Sequence, residues 1–433
     1  MKLRPFELIL VVVFAGLGFL TLVLLSNYSG NGGDDDIYYG SVEIWGTLEQ
    51  SSVSEVLQSL YDLGDAYKGV RYRYIDPRDF DTTLVTALAD GEGPDAILVS
   101  HERLVDYRKR IAAVSYESYP LRDIKNTYID GAEIYALSDG LYAYPIAVDP
   151  LVMYWNRDMF SNKGLLNAPK TWEELVNVQF DSLIERDFDR TIKKSVVAMG
   201  EYGNVRNAFG IISTLLLQAG TRGVIDEGNL YRISINESVS GAGKPLQTSL
   251  DFYTRFSRVN NSLYSWNRSF VEDRSQFAAE DLAMYFGYGS EGYEIERLNP
   301  NLNFDIAEVP QGQASNVRRT YGKFYGFSVL RSSDNLVGAA TAVSMLANQN
   351  YGTQIARANN MAPVFRSTLS QGSNDTYGRV IYQAATVAYG WLNPSLTVVA
   401  DIFTTMTRDV NENRYDEGKA ASDAIKRLEQ QYY

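Results

Sequence analysis

His101 is the only histidine in a chain of 433 residues that contains no cysteine. A serine triad or a histidine metal cluster would have to be built around that one ring, and thiolate sites, cysteine nucleophiles and disulfides are excluded. The stretches that imitate catalytic loops are each incomplete. Gly287-Tyr288-Gly289-Ser290-Glu291-Gly292 approaches a nucleophile elbow, but Tyr288 stands where the first glycine of G-x-S-x-G belongs. Gly241-Ala242-Gly243-Lys244-Pro245 lacks the first phosphate-loop glycine and the hydroxyl residue after lysine. Asp409, Asn411 and Asn413 begin like a calcium loop, yet Arg414 takes its glycine position and Ala420 its bidentate glutamate position. The chain therefore reads as having no catalytic group, no cofactor and no metal. Its Asp/Glu pairs leave glycoside cleavage open, because sequence spacing does not fix the carboxylate separation that such chemistry requires.

The elements that would position a binding site are clearer. Val42 and Ile44 alternate along a short strand ending at Trp45, and Val53, Val56, Leu57, Leu60 and Leu63 follow at helical spacing. A strand from Val70 to Ile75 comes next, then a helix through Leu84, Val85 and Leu88 that Asp81 can cap and Gly91-Glu92-Gly93-Pro94 ends. Ala96 to Val99 form a third strand, which makes the segment βαβαβ and its sheet parallel. Ligands of open α/β sheets sit beyond the carboxyl ends of the strands. Those ends carry Trp45 with Glu49 and Gln50, Asp76-Pro77, and Ser100-His101-Glu102.

Further along, PIAVDPLV at 145–152 is an extended apolar segment broken by Asp149-Pro150, which suits a crossing between lobes. Thr171 and Glu174 form a T-x-x-E capping box, and Phe209 to Leu217 and Ala421 to Leu428 read as helices of a second lobe. Two lobes are also what the chain length favours. The formal net charge of -13 discourages contact with nucleic acid phosphates and anionic lipid headgroups.

The N-terminus has Lys2 and Arg4, then an apolar run from Leu8 to Leu25, then Asp34, Asp35 and Asp36. As a helix the run spans about 27 Å, close to a bilayer core, and the flanking charges put residue 1 in the cytoplasm. A cleaved signal peptide is the alternative, but no small-x-small site precedes Ser26-Asn27-Tyr28. The expected layout is an anchor over 1–25, a flexible tether over 26–37 and a folded part outside the cell membrane.

Three segments, VEIWGTLEQ at 42–50, FDTTLVTALADGEGPDAILVS at 80–100 and LYAYPIAVDPLVMYWNRDMFSNKGLLNAPKTWEEL at 141–175, resemble the extracellular solute-binding proteins of carbohydrate ABC importers, the maltose-binding type. YSWN at 264–267, FAAEDLAMYFGY at 277–288 and YGFSVLRSSDN at 325–335 continue the resemblance toward the C-terminus. It implies an α/β, periplasmic-binding-protein-like fold of type II: two lobes joined by three crossings near 148–150, 304–309 and 346–350. The first lobe would hold 38–148 plus 306–347 and the second 149–305 plus 348–433. A carbohydrate would bind between them, for delivery to ABC permease subunits in the membrane by a monomeric, non-enzymatic receptor.

Matched by motif position, the resemblance implies that Trp45, Glu49, Asp81, Ser100, His101 and Tyr325 contribute from the first lobe. Asp149, Glu201, Tyr202, Trp266, Tyr288 and Trp391 would contribute from the second. Flat aromatics against sugar C–H faces, with carboxylates at the hydroxyl rim, are the complementary chemistry for a pyranose. Trp391 lies between Gly390 and Pro394 and reads as a loop residue offering its ring to ligand. Departures are the absent lipid-attachment cysteine and the Gly287-Tyr288-Gly289 segment, where relatives often have tryptophan. A glycan-sensing or scavenging ectodomain without a transporter fits the same residues.

Overall fold

The computed structural model describes residues 40–432, apart from 63, 229, 240–242 and 314–316. The expected anchor, tether and start of the folded part at 38–39 lie outside the described residues, as does Leu63. Among the described residues no helix is long and apolar enough to cross a membrane.

The chain opens with β1 (Val42–Gly46), helix α1 (Gln50–Tyr61), β2 (Val70–Tyr74), helix α2 (Phe80–Asp90) and β3 (Ala96–Ser100). β1 pairs in parallel with β2 on one side and β3 on the other, so the βαβαβ reading holds. Gly91 ends α2 in the left-handed conformation, φ 75°, which costs a glycine no Cβ clash. Asp81 does not cap this helix as the sequence suggests. Asp79 occupies the N-cap position, and the Asp81 carboxylate in the first turn turns instead to Arg103.

β4 (Tyr144–Asn156) is the backbone of the molecule, and beyond Tyr144 every residue in it is buried. That explains its run of apolar residues without alternation, since both faces are covered. It changes partners midway. Tyr144 to Pro150 pair antiparallel with β10 (Thr320–Val329), itself bonded to β3. Leu151 to Trp155 pair with β8 (Leu282–Tyr288), and Val152 to Asn156 with β9 (Phe304–Glu308) on the opposite edge. β8 in turn runs parallel to β5 (Ile192–Val197). The sheet thus divides at Asp149-Pro150 into a first and a second lobe. A separate hairpin, β6 (Thr221–Asp226) and β7 (Tyr231–Ser238), lies between second-lobe helices α3 (Ala208–Gln218) and α4 (Pro245–Thr254) in the chain.

Two boundaries differ from the sequence-based ones. β9 lies on the second-lobe half of β4, so Ile306–Glu308 remain in that lobe, and Gly322 is where β10 meets Pro150. Helix α6 (Gln349–Ala358), which follows α5 (Leu336–Leu346), packs Tyr351, Ile355 and Ala356 into the first-lobe core. Ala362 and Pro363 then pair with Val148 and Ala147. The amphipathic face of α6 thus keeps 348–363 in the first lobe, and the chain changes lobe between Arg366, bonded to the Lys125 carbonyl, and Tyr377, stacked on Phe304. The expected C-terminal helix is α8 (Glu417–Glu429), preceded by α7 (Leu396–Asn411).

Candidate ligand-binding cleft

The carboxyl ends of β1, β2 and β3 converge on a cavity of about 360 Å³. Gly46 permits that convergence: a Cβ there would lie 2.5 Å from the Tyr72 hydroxyl and 2.8 Å from the Leu98 carbonyl oxygen. Thr47, Pro77 and Arg78, then Ser100, Glu102 and Arg103, form the first-lobe wall. Tyr202, Arg206 and Asn207, from the loop that enters α3, and Phe209 in its first turn face them with Tyr288 from the end of β8. Lys323 and Tyr325 of β10, Asn393 just before α7, and Leu396, Val399 and Ala400 of α7 also line it.

Several of these side chains are fixed by partners inside the wall. Arg103 donates through Nε to Asp81 at 2.8 Å and through Nη2 to the Pro77 carbonyl at 2.8 Å. Asn207 donates to Glu291 at 2.8 Å and to the Tyr285 hydroxyl at 3.0 Å. Glu102, 4% exposed, accepts from the Tyr321 hydroxyl at 2.7 Å and from Ser100 at 3.3 Å.

Asn393 differs from them. It is 0% exposed, and neither its amide nitrogen nor its amide oxygen has a hydrogen-bond partner among the described residues. A buried amide without partners forfeits roughly 1–3 kcal/mol, so such a group marks a place where water or ligand belongs.

Two titratable groups next to the cavity are displaced from their ordinary ranges. Burial raises Asp149 to about 7, against the hydrogen bonds it accepts from Ser290 N–H at 3.0 Å and Oγ at 2.6 Å. His101 is fully enclosed, and burial lowers it to about 4. Its Nδ1 accepts from the Phe324 N–H at 3.2 Å, which leaves the ring proton on Nε2. Gly390 packs on that ring, where any Cβ would approach Nε2 to 2.3 Å.

Of the side chains that the resemblance nominated, Ser100, Tyr202, Tyr288 and Tyr325 line the cavity. Asp149, His101 and Asp81 stand behind it. The others lie elsewhere. Trp45 is in the first-lobe core beneath the Arg73 guanidinium at 4.8 Å, and Glu49 is exposed ahead of α1. Glu201 points to Arg268 at 3.4 Å. Trp266 is 0% exposed, donates to Asn204 at 3.1 Å and packs on Phe270. Trp391 is 4% exposed, donates to Ser213 at 3.1 Å and stacks with Phe403. Both tryptophans spend their N–H groups and ring faces inside the fold: Trp391 lies in a loop, as expected, but its ring is packed into the core instead of offered to a ligand. Motif matching missed Glu102, Arg206, Asn207, Lys323 and Asn393. Glu102 carried a signal, since it lies two residues past the end of β3; Lys323 and Asn393 had none that spacing reveals.

A second, larger cavity of about 1080 Å³ runs between 130–138 and the β6–β7 hairpin, with Trp391 in its wall. Its three carboxylates, Asp130, Glu133 and Asp226, each have an ion-pair partner. Asp226 accepts from Arg108 at 2.7 Å and from Ser138 Oγ at 2.7 Å, and Asp130 is bonded to Arg366 and, at 3.1 Å, to the Tyr389 hydroxyl. Arg319 stacks on Tyr389 at 3.9 Å.

A family model described as bacterial extracellular solute-binding protein matches residues 65–367. A Brucella abortus (strain 2308) protein described as a binding protein is 22% identical over 302 residues, and a Brucella suis biovar 1 (strain 1330) protein matches to the same extent. The match covers 65% of this chain and 65% of the length of those relatives. Among solved structures, a cyclo/maltodextrin-binding protein complexed with maltotetraose superposes with a TM-score of 0.71 at 14% identity, over 93% of this chain and 98% of that one. The maltose-binding periplasmic protein of Listeria monocytogenes, solved with maltose, gives 0.68 at 17% identity over 90% and 97%. A solute-binding protein of Thermotoga lettingae TMO bound with α-D-tagatose gives 0.66 at 17% identity over 91% and 100%. At such identities these structures show the fold alone, the α/β fold of periplasmic binding proteins.

Proposed function

The chain belongs to the bacterial extracellular solute-binding protein family, whose members bind their ligands without converting them, and we propose that this one captures a carbohydrate in the cleft beside Asn393 for an ABC importer. The observation that carries the reading is the Asn393 amide, buried in the cavity wall with both polar atoms unpartnered. A sugar hydroxyl both donates and accepts, so a pair of hydroxyls would satisfy the amide nitrogen and oxygen together. Tyr202, Tyr288, Tyr325 and Phe209 supply ring surface for sugar C–H faces, and Glu102 supplies acceptors at the rim. Ligands bound by the maltose- and tagatose-binding proteins of the same fold support the choice of class.

In this reading the two lobes close on the ligand about the Asp149-Pro150 crossing and its neighbours, and the apolar run before residue 26 would hold the chain in the membrane with the lobes outside. A monomer suffices for both. The test is a thermal-shift screen of the full chain with neutral and acidic mono- and oligosaccharides, amino acids and short peptides. A ligand at 100 times its dissociation constant stabilises by about 2.7 kcal/mol, and it should be recovered unchanged after long incubation. Shifts from amino acids or peptides and none from saccharides would remove the carbohydrate reading.

A further inference from the structure

The wall of the cleft has the opposite electrical character to the molecule. Arg78, Arg103, Arg206 and Lys323 line it with a single carboxylate, Glu102, in a chain whose formal net charge is -13. Three of the four cations have counterions in place: Arg78 bonds Asp76, Arg103 bonds Asp81 and Arg206 bonds Glu272. Lys323 does not. Its ammonium sits 3.9 Å over the Tyr288 ring, and among the described residues no carboxylate lies within ion-pair distance of it. Asp149 is its register partner across the β4–β10 pair, but that carboxyl is spent on Ser290. Burial keeps Asp149 near 7, so at neutral pH it offers only partial countercharge.

A cation held against a ring face keeps its N–H donors available, and moving an unpaired charge out of water is costly unless something supplies the missing partner. We propose that the ligand is an acidic carbohydrate whose anionic group pairs with Lys323, while its hydroxyls reach Asn393 and Glu102. The proposal rests on the carbohydrate reading above and narrows it. Glu102, fixed by Tyr321 and Ser100, repels the acid group and so sets which end of the sugar faces which wall. A carboxylate, as in a uronate, and a phosphate ester present the same charge to Lys323.

The experiment is titration calorimetry of the full chain with matched pairs: glucuronate against glucose, galacturonate against galactose, and glucose 6-phosphate against glucose, with the corresponding short oligosaccharides. One acidic member of a pair should bind about 10- to 100-fold more tightly than its neutral partner. Lys323→Gln should erase most of that preference, costing the acidic member far more affinity than its neutral partner, and Lys323→Arg should retain it. Which arm binds, uronate or phosphate ester, identifies the source of the charge. Neutral sugars that bind as well as acidic ones would overturn this inference and leave the carbohydrate reading standing. Equal loss for acidic and neutral sugars in Lys323→Gln would overturn it as well, because a general structural role has that effect. If no saccharide binds, both fall.

Discussion

The two cavities differ in a way that size conceals. The larger, about 1080 Å³, is bordered by carboxylates that already have partners, Asp226 with Arg108, Asp130 with Arg366 and Glu133 with Lys125, and by two arginines, Arg222 on the Ser238 carbonyl at 3.3 Å and Arg319 on the Tyr389 ring. The smaller, about 360 Å³, holds an ammonium without a counterion and an amide without a hydrogen bond. Native folds leave few buried polar groups unsatisfied, so such groups locate a ligand better than volume does. The larger cavity is the space left beside a self-sufficient interface, and the smaller one is incomplete without a guest.

The sharpest way to break that contrast is Trp391→Ala. If the ring is core packing beside the large cavity, truncation should cost about 3–5 kcal/mol of stability, with ligand affinity of the folded fraction unchanged. Denaturant melts paired with calorimetry read both quantities, and a melt like that of the unaltered chain with weakened binding would return Trp391 to the site. Next in size is Asp226→Ala, which leaves the Arg108 guanidinium with Asp139, at 3.0 Å, as its remaining ion-pair partner and should cost about 1–3 kcal/mol. Asp226 is held below its ordinary value, although its burial opposes this, by its bonds to Ser138 and Arg108. Its contribution is therefore present above the unfolded carboxylate pKa and lost as pH falls through the lower folded one. Acid melts of the unaltered chain and of Asp226→Ala should converge at low pH, and a constant difference would deny the charge its role.

Asn393→Leu should separate function from stability. Replacing an unsatisfied amide by an apolar group of similar size should stabilise the ligand-free protein by about 1 kcal/mol and weaken ligand binding by about 10-fold. Lowered ligand-free stability would mean that the amide is already partnered. The smallest effect concerns Asp149 and Asp273, both raised by burial to about 7. Their folded-state values exceed the unfolded ones, so the stability they confer is complete below the unfolded carboxylate pKa and lost as pH rises through about 7. His101, lowered to about 4, works the other way: its contribution is present above about 6.5 and lost as pH falls. Between pH 8 and 6.5 the carboxyls dominate, and ligand-free stability should rise by about 0.5 kcal/mol per pH unit for each group, since each is only partly protonated across its own pKa. Asp149→Asn should flatten that slope, and an unchanged slope would place its titration elsewhere.

Much of the fold was legible in the residues because its signals are local. Alternation at Val42 and Ile44, the glycine turn at 91–94 and the break at Asp149-Pro150 each follow from neighbours in sequence. Where a lobe boundary depends on packing, sequence misled: nothing within α6 tells which lobe its apolar face joins. The site was legible in part for the same reason. Ser100 and Glu102 announce themselves as strand-end residues, whereas Lys323 and Asn393 matter through what they lack in three dimensions. Tryptophans suit sugars chemically, but Trp45, Trp266 and Trp391 are committed to the core, a fact only their burial reveals.

The most direct test of the cleft as the binding site is a crystal structure of the protein with the best saccharide from the screen. Sugar hydroxyls should lie within about 3 Å of both polar atoms of the Asn393 amide, as hydrogen bonding requires, with Glu102 accepting from the same ligand and the larger cavity empty of it. Saccharide bound against Trp391 in the larger cavity, with the Asn393 amide still unpartnered, would contradict the account.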